Sequence, residues 1–126
     1  MEEITSDSFP ELSIPLSMGM RTGDLVFVSG QGPLDLETGE IVGETVGEQT
    51  AVTLDHVVSV LDAAGLGLDD VVKVNVYITD ADYYESFNET YAEYFEEPYP
   101  ARSCLVTDIV NEDQTVEIEA IAESNP

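Results

Sequence analysis

Every position from Leu25 to Val28 is apolar, in a seven-residue segment, DLVFVSG, that runs from Asp24 to Gly30. Successive side chains of a β-strand point to opposite faces of its sheet, so an unbroken run of β-branched and aromatic residues predicts a strand buried on both faces. A sheet that contains such a strand must be covered on both sides. This requirement limits the fold more than any other feature of the chain.

Two periodic segments follow this strand. Thr45 and Glu48 match the capping-box signature, and apolar residues at helical spacing continue as far as Gly65, which predicts the first helix. Residues 71–79 alternate and predict a strand, whose apolar face consists of Val72, Val74, Val76 and Ile78.

The C-terminal half predicts a second helix and two more strands. Thr79 and Asp82 repeat the capping pattern, and prolines at positions 98 and 100 end the helix. Its inner stripe is predicted to be Tyr84, Phe87, Tyr91 and Phe95. Residues 101–108 and 115–122 predict strands that a polar loop connects.

These elements predict a single α/β (α+β) domain over residues 1–126, in which two helices cover one face of a sheet. Two helices cover only one face, so the strand at 24–30 needs a second cover. We expect another subunit to supply it, which predicts a homo-oligomer.

The charge of the chain bears on its partners. There are 27 Asp and Glu residues against three cations, Arg21, Lys73 and Arg102, and the formal net charge is −24. A protein with so few cations cannot neutralise phosphates, which argues against nucleic acid and against an anionic membrane surface as partners. Self-repulsion of this size predicts a halophilic protein from a salt-rich cytoplasm, where the repulsion is screened.

A cytoplasmic location also agrees with the remaining sequence features. Cys104 is the only cysteine, which precludes an internal disulfide, and the acidic N-terminus lacks the basic and apolar regions of a signal peptide. No apolar run approaches the ~20 residues that a membrane span requires.

Arg102 is the most informative candidate for a functional residue, because a cation here is rare and its neighbours are small or apolar. The planar guanidinium fits a carboxylate in bidentate fashion, so in a cleft Arg102 would bind an acid substrate. The alternative is a structural ion pair with one of the many carboxylates.

Two further polar residues are candidates for a pocket. Glu119 shares a strand face with Glu117 and could hold a water or transfer a proton, although in so acidic a chain a solvated strand face is the favoured explanation. Asn88 lies on the inner face of the second helix, where it could line a pocket or be a hydrogen-bonded core amide.

Other residues with chemical side chains receive structural interpretations. Cys104 has no sequence-local His or cationic partner that would lower its pKa, so it is interpreted as a packed residue and not a nucleophile, although its backbone could still matter. His56 stands alone, so no metal site is predicted. Residues 30–32 lack the spacing of a nucleotide-binding loop and predict a turn at a strand end.

Four segments together resemble the Rid (YjgF-type) family of enamine and imine deaminases in order and spacing, over nearly the whole chain. They are VSGQ at 28–31, FNETY at 87–91, YPARSC at 99–104 and VEIEAIA at 116–122. The resemblance implies a chorismate-mutase-like fold, which is a mixed sheet with two helices on one face. It also implies a homotrimer with active sites in the clefts between subunits, and no cofactor.

The resemblance also implies roles for individual residues. Arg102 would grip the substrate carboxylate and Glu119 would help to position the hydrolytic water. The cleft would further be lined by Ser29, Gly30, Asn88 and the backbone of Cys104. The chain departs from the family at Leu16, which follows Pro15 where the archetypal deaminases have a tyrosine, and a leucine cannot donate that hydrogen bond.

The implied reaction is the hydrolysis of a 2-imino or enamine acid, such as 2-iminobutanoate or 2-iminopropanoate, to a 2-keto acid and ammonia. An alternative is a non-catalytic trimer that binds a small metabolite in the same cleft, which Leu16 favours. A third activity, ribonuclease or inhibition of translation, is disfavoured by the charge.

Overall fold

The computed structural model describes residues 1–124, in which two α-helices pack on one face of a single mixed sheet. The helices are α1 (Val46–Ala63) and α2 (Tyr84–Tyr94). The strands are β1 (Glu2–Ile4), β2 (Gly19–Thr22), β3 (Leu25–Gln31), β4 (Val71–Ile78), β5 (Ala101–Val106) and β6 (Val116–Glu123). The predicted α+β class, with a mixed sheet and both helices on one face, is confirmed. Residues 125 and 126 of the predicted domain lie outside the described part.

The strand order across the sheet is β1-β2-β3-β6-β4-β5. Only β4 and β5 are parallel neighbours, and α2 lies in the crossover that such a pair requires. All other neighbouring strands are antiparallel. This order places β6 at the centre of the sheet and β5 at its edge.

Helix α1 forms as the sequence predicts. The side chain of Thr45 accepts a hydrogen bond from the backbone N–H of Glu48 (3.1 Å), and the Glu48 carboxylate accepts one from the N–H of Thr45 (3.1 Å). Gly65, just beyond the helix, adopts a φ of +78°, which a residue without Cβ reaches without strain. The apolar stripe of α1 is buried against β3 and β6 and consists of Leu54, Val57, Val60 and Leu61.

One predicted face of β4 needs correction. Val72 is 45% exposed and Val71 is buried in its place, because the register with β6 shifts between Val71 and Lys73. A β-bulge of this kind adds one residue to one strand and thereby turns the side chain of that residue out of the core. From Val74 to Ile78 the predicted alternation is confirmed.

The predicted start of the second helix is also wrong. Asp80, not Thr79, is the cap: its carboxylate accepts a hydrogen bond from the N–H of Asp82 (2.8 Å) and begins a short 3₁₀ turn. Helix α2 then starts at Tyr84, which is 46% exposed rather than part of the inner stripe. The other members of that stripe, Phe87, Tyr91 and Phe95, are buried as predicted.

The face of the sheet opposite the helices is open in a single chain. Val26 and Val28 are buried beneath the helices, whereas Phe27 between them is 40% exposed. Polar side chains of β4 and β6 that are only partly buried continue this open face, among them Asn75, Tyr77, Glu117 and Glu119. A second subunit as its cover stays a prediction.

Candidate functional site

Arg102 lies on the edge strand β5, and its guanidinium packs over aromatic rings of α2. The guanidinium carbon is 4.8 Å from the ring centre of Tyr91, 5.5 Å from that of Phe87 and 5.7 Å from that of Tyr84. Nη2 donates a hydrogen bond of 3.0 Å to the Tyr84 hydroxyl. Cation–π contacts of this kind hold the side chain in place without neutralising its charge.

Among the described residues, no acidic side chain pairs with the charge of Arg102. Within residues 1–124 the one ion pair joins Arg21 to Glu2 at 3.9 Å, and no carboxylate lies within 4.0 Å of Arg102. Among 27 acidic residues, an unpaired guanidinium is unexpected for a purely structural cation. The predicted alternative, a structural ion pair within the chain, therefore does not form among the described residues.

A cavity of about 320 Å³ opens beside Arg102. Its walls are formed by Asn88, Tyr91, Ala92, Tyr99, Pro100 and Arg102. Two of the residues singled out in the sequence, Asn88 and Arg102, thus line the same space. A volume of this size is at the lower end of the ~300–1,000 Å³ typical of small-molecule sites.

Glu119 lies in a different place, on the open face of the sheet. Its Oε1 accepts hydrogen bonds from the hydroxyl of Tyr77 (2.6 Å) and from Nδ2 of Asn75 (3.2 Å). A second cavity, of about 420 Å³, is lined there by Glu119 together with Ser29, Phe27 and Asn75. The Ser29 hydroxyl donates a hydrogen bond to the backbone carbonyl of Ser17, which also lines this cavity. The bond connects β3 to the segment that precedes β2.

The two carboxylates of β6 that share this face have different surroundings. Burial, and secondarily the charge of Glu119, raises the pKa of Glu117. Glu119 instead has two hydrogen-bond donors on one oxygen, and its acceptance from Tyr77 is the main reason that the pKa of Tyr77 is raised. Adjacent carboxyl groups in unequal environments are suited to separate proton-transfer roles.

Arg102 and Glu119 face opposite sides of the sheet. Arg102 aligns with Val74 of β4, which aligns with Ala120 of β6, and both of these partners are buried beneath the helices. Glu119 is one residue from Ala120, so its side chain points to the other face. A single chain therefore does not bring these two residues together.

Two further residues predicted for the cleft, Cys104 and Gly30, lie on β5 and β3. The N–H of Thr107 donates to the carbonyl of Ile78 on β4 (2.9 Å), so by alternation the N–H groups of Arg102 and Cys104 point away from β4, off the sheet edge. Burial raises the pKa of the Cys104 thiol, and the charge of Arg102 lowers it only in part, which does not favour a nucleophile. A Cβ at Gly30 would stand 2.7 Å from Oε2 of Glu117.

Leu16 lies apart from both cavities. It is 45% exposed in the segment before β2 and lines a separate hollow with Phe9, Leu12 and Met18. The residues predicted for one cleft are thus distributed over three surfaces of the single chain.

Sequence analysis missed four residues that this geometry adds. Asn75 and Tyr77 alternate with the apolar residues of β4, which indicates only that they share its polar face. Their bonds to Glu119 depend on the pairing of β4 with β6. Tyr84 and Tyr91 were assigned to a core stripe, although Tyr84 bonds Arg102 and Tyr91 lines its cavity. The 3.6-residue spacing that placed them on the inner side carries no information about what lies across from them.

Within residues 1–124, no group of three or more His, Cys, Asp or Glu side chains is arranged to hold a metal ion. In the same part of the chain, neither helix is both long enough and apolar enough to cross a membrane.

Comparison with known proteins adds sequence and structural relatives. The profile of the family described as endoribonuclease L-PSP matches residues 7–124. A RutC family protein of Pyrococcus horikoshii is 40% identical over 121 residues, which cover 96% of each chain. The Escherichia coli protein provisionally named reactive intermediate deaminase TdcF is 40% identical over 111 residues, 86% of this chain and 85% of that protein. A solved structure of E. coli TdcF with bound serine superposes with a TM-score of 0.89 at 36% identity, over 99% of this chain and 100% of that one.

Proposed function

The chain belongs to the family described as endoribonuclease L-PSP, which includes the Rid (YjgF-type) proteins, and we propose that it hydrolyses 2-imino and enamine acids to 2-keto acids and ammonia. The observation that carries this proposal is the guanidinium of Arg102, which forms no ion pair within residues 1–124 and lies beside a cavity of about 320 Å³. The deaminase name of TdcF and the serine bound in its structure support a small amino-acid-like ligand.

Arg102 binds the carboxylate of the substrate in this proposal. Its planar guanidinium group is held over the rings of Phe87 and Tyr91 and is already oriented. The side chain therefore loses little conformational freedom when the substrate binds. The N–H of Cys104, which points off the same sheet edge two residues along β5, is available as a further donor to the bound acid.

Catalysis needs a second subunit, because Arg102 and Glu119 face opposite sides of the sheet in one chain. In a homotrimer whose clefts lie between subunits, Arg102 of one copy meets the open face of the next, with Ser29, Gly30 and Glu119. This arrangement also provides the second cover that Phe27 lacks.

The reaction then requires only water and proton transfers, without a cofactor. A water held by Glu119 adds to the carbon of the C=N bond and forms a carbinolamine. Collapse of this intermediate forms the C=O bond, breaks the C–N bond and releases ammonia, while Glu119 moves the protons. Imines also hydrolyse spontaneously, so the enzyme needs to lower the barrier by only a modest amount.

The test is a comparison of arginine variants in an assay that generates 2-iminobutanoate in situ and follows ammonia and keto-acid release. Arg102→Ala and Arg102→Lys should both lose most of the acceleration, by about tenfold or more, because lysine lacks the planar fork. Arg21→Lys, which changes the other guanidinium far from the cavity, is the matched control and should retain the rate. An unchanged rate in Arg102→Ala contradicts the proposal, and ligand binding without acceleration in the wild type supports the metabolite-binding alternative.

A further inference from the structure

The cavity beside Arg102 has one charged wall, and most of the rest is apolar. Among the described residues that line it, Arg102 alone is charged, and Asn88 adds an amide. Tyr91 presents its ring to the cavity, because its hydroxyl is completely buried. The remaining walls are Ala92, Tyr99 and Pro100. An acid whose carboxylate binds the guanidinium therefore places the rest of the molecule against a largely apolar surface.

Ala92 has the smallest side chain of these walls. It follows Asn88 by four residues on α2, so both lie on one face of the helix, about 6 Å apart along its axis. The rings that hold the guanidinium, Tyr84, Phe87 and Tyr91, all precede Ala92 in the chain. Ala92 is thus the last wall residue of α2 and borders the end of the cavity beyond the guanidinium.

The proposed reaction leaves one part of the substrate to occupy this end. The carboxylate binds Arg102, and the carbon of the C=N bond must meet the water that Glu119 of a neighbouring copy holds. The side chain of the acid is what remains to contact the apolar walls. The size of the cavity at Ala92 therefore limits the size of that side chain.

The volume of the cavity exceeds what a short acid needs. About 320 Å³ has room for roughly ten groups at about 30 Å³ each, the share of one water, whereas 2-iminobutanoate has only about seven non-hydrogen atoms. On the same scale, a leucine at position 92 would add three carbons and take up the difference. The space next to the Ala92 methyl group is thus the space that a longer side chain would use.

We infer that Ala92 is a specificity-determining residue, whose small side chain lets the Arg102 cavity accept 2-imino acids with a branched, four-carbon side chain. The inference rests on the proposed function and names the residue that sets the upper size of its substrate. Sequence analysis offers no signal for it, because an alanine on the exposed side of a helix has no distinctive pattern.

The variant that tests this is Ala92→Leu, and its matched control is Glu93→Leu. Both introduce the same side chain at neighbouring, exposed positions of α2, but Glu93 does not line the cavity. Leucine is a good helix former, so both variants should fold, which thermal unfolding checks. Only Ala92→Leu places the added carbons in the space that the larger acid needs.

The experiment compares two substrates on the intact protein in concentrated KCl. An amino-acid oxidase generates 2-iminobutanoate or the larger 2-imino-4-methylpentanoate in situ, and the release of ammonia and keto acid is followed above the spontaneous rate. The quantity compared is the ratio of kcat/KM for the larger acid to kcat/KM for the smaller. Because both values come from one preparation, a reduced amount of folded or assembled protein cancels from the ratio.

In the wild type this ratio should be at least about one, since the cavity has room for both acids. Ala92→Leu should lower it by about tenfold or more, because the larger acid no longer fits without strain. Glu93→Leu should keep it within about twofold of the wild type, as expected for a surface change away from the cavity.

The outcomes that overturn the inference differ from those that overturn the proposed function. An unchanged ratio in Ala92→Leu overturns the inference, even if both rates fall, and so does an equal change of the ratio in Glu93→Leu. A wild type that accelerates hydrolysis of 2-iminobutanoate but not of the larger acid also overturns it and leaves the proposed function intact. If Arg102→Ala accelerates both reactions as well as the wild type does, the proposed function itself fails.

Discussion

Tyr77 donates a hydrogen bond of 2.6 Å to Oε1 of Glu119, across the boundary between β4 and β6. Asn75, directly opposite Glu119 in the strand register, gives the same oxygen a second bond of 3.2 Å. Because both donors converge on Oε1, Oε2 is left as the oxygen that can accept from a water in the open cavity. Two neutral residues thus orient the carboxylate that the proposed reaction uses.

Replacement of Glu119 should affect both the reaction and Tyr77. We expect Glu119→Gln to lower kcat by about 100-fold, the lower end for loss of a general base, with a smaller effect on KM. The pKa of Tyr77 should fall toward its ordinary value of 10, because the hydrogen bond to Glu119 is the largest cause of its rise. Steady-state kinetics and NMR titration of ring-labelled tyrosine check the two effects. Glu123→Gln, at the exposed end of the same strand, is the control and should change neither.

Glu117 should make stability depend on pH. Burial first, and the charge of Glu119 second, raises its pKa in the folded protein above the 4.5 of an exposed glutamate. The ionised group therefore opposes folding at neutral pH, and this penalty fades as the pH falls through the folded pKa toward 4.5. We expect Glu117→Gln to raise the melting temperature at pH 7.5 by about 2–4 °C, and the gain to vanish below about pH 4.5. A gain that persists at low pH would indicate a packing effect instead.

Local patterns predicted the elements well but not their exact limits. The capping box at Thr45 and Glu48 involves groups three residues apart, so the sequence contains all that determines it. The bulge at Val72 depends on how β4 pairs with β6, more than 40 residues further on, and no periodicity within β4 reveals it. The short strands β1 and β2 escaped prediction because three or four residues show too little alternation.

In the candidate site, too, local patterns predict some features, whereas others depend on strand pairing. Alternation within β6 placed Glu117 and Glu119 on one face, and the structure agrees. The relation of Arg102 to Glu119 could not be derived this way, because it depends on β5 joining β4 in parallel at the far side of the sheet. Which residues share a cavity is a property of strand order, and strand order is not a local property of the sequence.

Gln49 should be among the most important polar residues for stability. Its buried amide donates to the carbonyls of Gly43 (3.2 Å) and Asp113 (3.0 Å) and accepts from the N–H (2.8 Å) and hydroxyl (2.7 Å) of Thr115. It thereby joins the start of α1 to the loop before β6. Gln49→Ala should lower the free energy of unfolding by about 1–3 kcal/mol, because it removes four hydrogen bonds to partly buried groups.

Urea unfolding at constant high salt measures this effect. Asp62→Ala, an exposed position on the last turn of the same helix, is the control and should stay within about 0.5 kcal/mol of the wild type. If Gln49→Ala lowers the free energy of unfolding by as little as the control does, then water replaces the four hydrogen bonds almost completely.

Stability should rise steeply with salt concentration, because the chain hardly neutralises its own charge. The net charge is −24, and within residues 1–124 the single ion pair, Arg21 with Glu2, spans a long 3.9 Å. The repulsion among the acidic residues must then be screened by dissolved salt. The Debye length of the solution falls from about 10 Å at 0.1 M salt to about 3 Å at 1 M. The melting temperature should therefore increase by roughly 10 °C or more between 0.1 and 2 M KCl.

A variant with four exposed acids replaced by their amides, at Glu11, Glu37, Glu85 and Glu93, should show a smaller increase, since it has less repulsion to screen. Equal salt dependence in both proteins would assign the effect to general salting-out, and no salt dependence would refute the halophilic prediction.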